Sequence, residues 1–142
     1  MGKLQAARAA ERNVNIKADF VKELYCECDA TLLQQSLLNL LMNAIEAAPE
    51  ESMVIVSAKT LENAIAIDVE NVGSGIRSEV LAHIFEPFFT TKPGGSGLGL
   101  ALAKNAAHAQ GGELTLAQNG PTAVTFTLTL PVGNRTLTKA TN

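Results

Sequence analysis

The sequence contains no tryptophan, one tyrosine and only 4% aromatic residues. A protein that binds single-stranded nucleic acid by stacking on its bases would need more aromatic side chains. Basic residues are also few, because 11 lysines and arginines stand against 14 acidic residues, giving a net charge of −3. Nucleic-acid-binding domains carry an excess of basic residues, so this balance excludes nucleic acid as the expected partner.

Long apolar runs and a signal-peptide pattern are missing as well. No stretch approaches the roughly 20 apolar residues that cross a bilayer, so we expect no membrane contact and a cytoplasmic location. The two cysteines, Cys26 and Cys28, have too few cysteine or histidine neighbours to form a metal site and are interpreted as reduced packing residues. The 142 residues, 46% of them hydrophobic, suffice for one domain with a continuous core.

The order of predicted strands and helices, with an antiparallel hairpin at the end, indicates a two-layer α+β sandwich. Helices are expected to begin near Asp29, Ser78 and Gly97, and Pro49 ends the first. Strands are expected over residues 13–17, 24–28, 53–59, 64–70, 113–118 and 122–130. The last two strands are joined by Asn119-Gly120-Pro121, which is typical of a hairpin.

Asn39 and Asn43 stand one helical turn apart on the first predicted helix, with Gln35 one turn earlier and Glu46 beside them. Two asparagines within one turn weaken a helix that is otherwise rich in leucine. A carboxamide oxygen suits Mg²⁺, which takes few protein ligands in addition to water and phosphates. The alternative, which this helix alone leaves open, is that the amides cap loops or form hydrogen bonds in the core.

Two glycine clusters follow. In Asn71–Gly75 the glycines would let the backbone approach a flat ligand, and Asn71 could hydrogen-bond a purine, although an ordinary turn explains this segment more simply. Gly94–Gly99 opens a helix, whose first N–H groups form an anion site suited to phosphates. It is not a Walker A loop, because no Gly-Lys-Ser/Thr follows the spacer, and it is not a Rossmann fingerprint, because its spacing is G-x-G-x-G and no strand precedes it.

The run Ile84–Lys92 lies between the glycine clusters and predicts a flap over the same pocket. Its phenylalanines would anchor a loop to the core, while Thr90, Thr91 and Lys92 would reach a terminal phosphate. The alternative is a hydrophobic loop anchor with no ligand role. Of the two histidines, His83 lies beside the flap and could meet phosphate when protonated, whereas His108 is interpreted as structural.

In this order, the four segments resemble the catalytic, ATP-binding (HATPase_c) domain of bacterial two-component sensor histidine kinases, which share an ATPase superfamily with gyrase, Hsp90 and MutL. Residues 37–44 look like the family's N box, 71–76 its G1 box, 84–92 its F box and 95–100 its G2 box. The Phe-Glu-Pro-Phe-Phe-Thr-Thr-Lys wording is similar to the nitrogen-regulation subgroup. The resemblance implies a Bergerat-type fold, in which a mixed, largely antiparallel sheet packs against about three helices. It also implies protein-histidine kinase activity, with ATP and Mg²⁺ as ligands.

By this resemblance, Asn43 would ligate Mg²⁺, and Asn39 and Lys92 would position phosphate. The family usually carries Asp at the position of Asn71, so its adenine contact is expected to be weaker here, and Asn71→Asp is expected to tighten ATP binding. The implied nucleotide-binding residues are Asn39, Asn43, Asn71, Gly73, Gly75, Thr90, Thr91, Lys92, Gly95, Gly97, Leu98, Gly99 and Leu100.

The family's phosphoacceptor histidine motif and dimerising hairpin are not found in this sequence. We therefore expect residues 1–12 to be the remnant of an upstream dimerisation helix or linker, 13–131 the ATP-binding catalytic domain, and 132–142 a flexible tail. The resemblance implies γ-phosphate transfer to a histidine on a separate dimerisation domain of the same full-length kinase, with a response regulator downstream and no autophosphorylation by this chain alone.

Two alternatives stay open. One is a non-catalytic nucleotide-sensing module, suggested by Asn71 and Glu46. The other is an ATP hydrolase, which is disfavoured because Asn39 stands where hydrolases carry Glu.

Overall fold

The computed structural model describes residues 13–20, 25–26, 29–89, 97–131 and 138–139. The strands within these residues are β1 Asn15–Phe20, β2 Tyr25–Cys26, β3 Met53–Thr60, β4 Ala64–Val72, β5 Glu113–Asn119, β6 Ala123–Pro131 and β7 Thr138–Lys139. Five of them form a sheet in the order β1-β3-β4-β6-β5, and β2 pairs antiparallel with β7. In the larger sheet β1 runs parallel to β3 and the other pairs are antiparallel.

The described helices are α1 Ala30–Ala47, α2 Ser78–Leu81 and α3 Gly99–Ala109. Asp29 caps α1, because its Oδ1 accepts a hydrogen bond from the Leu32 N–H at 3.1 Å. The helix ends before Pro49, which cannot continue it. The apolar stripe of α1 is buried, whereas α3 buries only alanines, so the two helices pack closely on one face of the sheet.

The core lies between these helices and the sheet. Strict alternation in β4 and β6 turns Ile65, Ile67 and Val69 and then Phe126 and Leu128 towards the helices, and all five are buried. Each such side chain contributes about 1.5–3 kcal/mol when it leaves water. The predicted two-layer α+β sandwich is therefore confirmed.

The β5–β6 hairpin forms where Asn119-Gly120-Pro121 predicts it, but its register shifts within β5. Leu116 lies opposite Phe126, whereas Gln118 lies opposite Thr125, so Ala117 is an extra residue in a β-bulge.

Some expectations differ from the structure or fall outside it. The first strand covers Asn15–Phe20 rather than residues 13–17. Thr138–Lys139, within the segment expected to be a flexible tail, forms strand β7. Residues 1–12 lie outside the described residues, so their assignment as a helix remnant stays a prediction. Among the described helices, none is long and apolar enough to cross a membrane.

Candidate nucleotide site

A cavity of about 790 Å³ opens between α1, the start of α3 and one end of the sheet. Its size falls within the range of pockets that bind small molecules and cofactors. The lining residues are Asn39, Met42, Asn43, Glu46, Ala47, Pro49, Asn71, Gly73, Ser74, Gly75, Ile76, Arg77, Val80, Ile84, Phe89, Gly97, Gly99, Leu100, Val124 and Phe126. The cavity has two walls, a helix side formed by α1 and the start of α3, and a loop side formed by Asn71 and Gly73–Ile76.

The helix side carries the polar face of α1. The leucine stripe of the helix faces the core, which turns Asn39, Asn43 and Glu46 along one flank into the cavity wall, each of them half-buried. Gln35, one turn earlier, is exposed and does not line the cavity. Three oxygen-bearing side chains on one flank form a donor set that suits a hard divalent cation.

The start of α3 completes the helix side. A Cβ placed on Gly99 would lie only 3.9 Å from the Asn39 Cβ, so the first turn of α3 faces the asparagines of α1. The N-cap position is Leu98, whose side chain offers no oxygen to the first N–H groups of the helix. Within the described residues, this helix start has no side-chain cap and faces the cavity, the arrangement that attracts anions.

The loop side begins with Asn71 at the end of β4, which is only 3% exposed. Its Nδ2 donates a hydrogen bond to the Val72 carbonyl at 2.9 Å. Because the NH₂ group must face that carbonyl, the orientation of the amide is fixed and its oxygen is left as the acceptor. Asn71 thus offers the cavity wall an acceptor for a donor such as a purine amino group.

The three phenylalanines after Ile84 differ in how far they are buried. The Phe85 ring packs edge-on against the core residue Phe126, with 6.1 Å between centroids, as the anchoring hypothesis requires, and Phe89 lines the cavity. Phe88 differs, because it is 75% exposed and has a φ of +68°, which is unusual for a bulky residue. Phe88 therefore takes no part in anchoring the loop to the core.

A backbone hydrogen bond joins Phe88, within the predicted flap, to Gly97, just before α3. The Phe88 N–H donates to the Gly97 carbonyl at 2.9 Å. A Cβ on Gly97, whose φ is +73°, would lie 2.4 Å from the Phe88 carbonyl carbon, so only glycine fits there. Thr90, Thr91 and Lys92 of the flap, and Gly95 of the second glycine cluster, lie outside the described residues, and their roles stay predictions.

A charged cluster beneath this segment was missed by sequence reasoning. Lys104 on α3 places its Nζ 4.3 Å from the Phe85 ring centroid and 3.4 Å from Glu113 Oε1. The Leu114 N–H and then His108 Nε2 hydrogen-bond the Glu113 carboxylate, which lowers its pKa from 4.5 to about 2. His108 therefore has a structural partner, as expected.

The geometry does not support a contact between His83 and a bound phosphate. Its Nδ1 lies 2.5 Å from Glu86 Oε2, and its ring stacks at 5.3 Å on Phe89. It does not line the cavity, so it lies behind Phe89 rather than facing a ligand.

Of the residues predicted to bind the nucleotide, eight line the cavity: Asn39, Asn43, Asn71, Gly73, Gly75, Gly97, Gly99 and Leu100. Leu98 is described but does not line it. Sequence reasoning missed Arg77, the only cation among the described lining residues, as well as Val124 and Phe126 from β6.

The described residues contain no group of three or more His, Cys, Asp or Glu that could hold a metal. A metal here would depend on amide oxygens and on oxygens brought by the ligand.

Comparison with known proteins agrees with this geometry. Residues 28–134 match the family described as "Histidine kinase-, DNA gyrase B-, and HSP90-like ATPase". The signal transduction histidine-protein kinase AtoS of Escherichia coli (strain K12) is 38% identical over 133 residues, which are 87% of this chain and 22% of AtoS. The chain spans less than a third of the curated relatives it matches most clearly.

Solved structures of histidine kinases share the fold. The nucleotide-free catalytic domain of ThkA matches with a TM-score of 0.79 and 31% identity, over 90% of this chain and 85% of that one. Full-length ShkA in complex with AMPPNP matches with a TM-score of 0.80 and 27% identity, over 98% of this chain and 29% of that one. ThkA in complex with the response regulator TrrA matches with a TM-score of 0.75 and 27% identity, over 93% of this chain and 39% of that one.

The sandwich and its cavity are those of a nucleotide-binding ATPase domain. The chain belongs to the histidine kinase-, DNA gyrase B- and HSP90-like ATPase family, and its relatives include sensor histidine kinases. The predicted family membership is confirmed.

Proposed function

We propose that this chain is the ATP-binding catalytic domain of a sensor histidine kinase, which transfers the γ-phosphate of ATP to a histidine on a separate phosphoacceptor domain. The observation that carries the proposal is that one cavity combines amide oxygens from α1 with the uncapped start of α3 and a buried acceptor at Asn71. These three features suit a cation, phosphates and a purine respectively.

The loop side would receive the base. With its NH₂ group engaged by Val72, Asn71 presents an oxygen that can accept a hydrogen bond from the adenine amino group. Gly73 and Gly75 would allow the loop backbone to approach the ring. Val124 and Phe126 add apolar surface from β6 to the same cavity.

The helix side would receive the triphosphate. Asn43, with Asn39 beside it, would hold Mg²⁺, which neutralises phosphate charge when it is bound. The N–H groups of Gly99 and Leu100, at the start of α3, would bind phosphate oxygens. We assign Thr90, Thr91, Lys92 and Gly95 to the flap over the phosphates, and Gly97 and Leu98 to the connection between flap and helix.

The acceptor histidine is assigned to another domain, because both histidines of this chain have structural partners. His83 lies against Glu86 and Phe89, and His108 against Glu113. ThkA is known in complex with a response regulator, and we extend that downstream partner to this chain. Because the substrate is ATP, we place the domain in the cytoplasm.

The test is phosphate transfer to the histidine-bearing domain of the same full-length protein. With γ-labelled ATP and Mg²⁺, we expect label on that domain only when this chain is added, in an acid-labile, base-stable bond. ATP binding without transfer would instead indicate a nucleotide-sensing module. Steady phosphate release by this chain alone would indicate a hydrolase.

A further inference from the structure

The tip of the β5–β6 hairpin is packed against the loop side of the cavity. Asn119, the last residue of β5, lies 43 positions from Ile76, yet the two share a pair of hydrogen bonds. The Ile76 N–H donates to Asn119 Oδ1 at 2.5 Å, and Asn119 Nδ2 donates to the Ile76 carbonyl at 3.1 Å. One primary amide thus satisfies both backbone groups of Ile76, as a neighbouring strand would.

The β-bulge at Ala117 brings Asn119 to this position. Side chains alternate between the faces of a strand, and Leu114 and Leu116 face the core in β5. Without the extra residue, Asn119 would therefore face away from the core. The bulge pairs Asn119 with Val124, whose side chain lines the cavity, and so turns the amide to the cavity face.

Two glycines allow the hairpin tip and the loop to approach closely. A Cβ on Gly120 would lie 2.2 Å from the Ser74 carbonyl oxygen, and one on Gly75 would lie 3.0 Å from the Asn119 carbonyl oxygen. The loop is also bonded at its other end, because the Gly73 N–H donates to the Thr122 carbonyl at 3.1 Å. The hairpin therefore holds both ends of the Gly73–Ile76 loop.

We propose that Asn119 is a positioning residue that sets the base-binding wall of the nucleotide site. Its side chain does not line the cavity, whereas Gly73, Ser74, Gly75 and Ile76 all do. Asn119 acts on a ligand only through this loop, which it holds in the shape that receives the base. The inference rests on the proposed function, because it requires a base on the loop side and phosphates on the helix side.

The decisive variant is Asn119→Ala, with Gln118→Ala as its control. Gln118 is the adjacent residue of the same hairpin and pairs with Thr125, one position away from Asn119. We expect Asn119→Ala to weaken ADP binding about three- to tenfold, which corresponds to the loss of one or two ordinary hydrogen bonds. Gln118→Ala is expected to leave ADP affinity unchanged.

A role in positioning predicts more than a loss of stability. The assay measures how well a competitor displaces a fluorescent nucleotide in the presence of Mg²⁺. Asn119→Ala should weaken the binding of adenosine and ADP, while tripolyphosphate should compete as it does with the wild type. Hydrogen exchange of the Ile76 amide should accelerate at the same time. Asn119→Asp keeps the acceptor for the Ile76 N–H and should restore part of the ADP affinity.

The outcomes separate this inference from the function on which it rests. If the wild type binds ADP and Asn119→Ala binds it equally well, the positioning role is overturned and the proposed function stands. Equal weakening of adenosine and tripolyphosphate also overturns the role, because the effect is then general. A wild type that binds no adenine nucleotide overturns both proposals.

Discussion

On the loop side of the cavity, the Gly73–Ile76 segment is hydrogen-bonded at both ends to the β5–β6 hairpin, and Asn71 is buried and oriented by Val72. On the helix side, one backbone hydrogen bond among the described residues joins Phe88 to Gly97, a contact that we call the flap joint. Both residues of that bond have positive φ, which for Phe88 costs about 1 kcal/mol or more. The base wall is thus formed in advance by neighbouring strands, whereas the flap joint depends on two unusual backbone conformations.

This difference predicts where substitutions act. Changes on the loop side should alter affinity for the base and leave phosphate contacts intact. Changes at the flap joint should alter folding and triphosphate binding together, because the joint is part of the chain's path into α3.

The largest effect is expected from Gly97→Ala at the flap joint. A methyl group there would collide with the Phe88 backbone at 2.4 Å, in a conformation that alanine rarely adopts. We expect the free energy of unfolding to fall by about 2 kcal/mol or more and ATP affinity to fall with it. Urea unfolding and ATP titration measure the two effects.

Gly99→Ala is the matched control for stability, because it adds the same methyl group two residues later. Its Cβ would meet nothing closer than 3.9 Å and would lie within α3, so stability should be unchanged or slightly higher. Equal destabilisation by both variants would show that the Phe88–Gly97 contact has no special role.

The next effect is expected from Asn43→Ala on the helix side. Removing the amide oxygen should weaken Mg²⁺-dependent ATP binding by about tenfold or more, while the melting temperature without nucleotide changes little, because Asn43 is only half-buried. Titration of ATP with and without Mg²⁺ measures this. Gln35→Ala, two turns earlier on the same helix and outside the cavity, is the control. Unaltered affinity in Asn43→Ala would show that the metal assignment is wrong.

A smaller effect is expected from Asn71→Asp on the loop side, and it has two parts. The negative charge should strengthen the hydrogen bond from the adenine amino group and tighten ATP binding about threefold. The carboxylate cannot donate to the Val72 carbonyl, so the stability of the nucleotide-free protein should fall by about 1 kcal/mol. GTP, which carries no amino group at that ring position, should gain nothing. Weaker ATP binding would mean that the amide itself is required.

Patterns that lie close together in the sequence predicted much of this molecule. The Asp29 cap, the leucine stripe of α1 and the Asn119-Gly120-Pro121 turn act within a few residues, so their physics can be read from the order of residues. The assembly of the asparagines and glycines around one cavity was predicted through resemblance rather than through spacing. The described asparagines and glycines of these motifs do line one cavity, whereas Leu98 does not.

Contacts between distant segments could not be predicted in this way. The Asn119–Ile76 pair depends on a bulge at Ala117, where alanine gives no signal of an irregular strand. Lys104 reaches the Phe85 ring only because α3 crosses beneath the segment that precedes the flap. Arg77 looks like an ordinary loop cation until the fold places it on the cavity wall.

The smallest effect is expected outside the cavity, at Glu113 on the edge strand β5. Hydrogen bonds from Leu114 and His108 hold the pKa of this carboxylate at about 2 in the folded protein, below its ordinary value of 4.5. A lowered folded pKa means that the carboxylate stabilises the fold above about pH 4.5, and that this contribution is lost as the pH falls towards 2.

Glu113→Gln should therefore lower the urea midpoint at pH 6 by a small amount, because the side chain is half exposed. The gap between variant and wild type should narrow at pH 3. Glu62→Gln, in the exposed turn between β3 and β4, makes the same charge change and is the control for a general effect of charge. A gap for Glu113→Gln that stays constant between pH 6 and 3 would mean that packing of the Gln side chain, and not the carboxylate's charge, causes the difference.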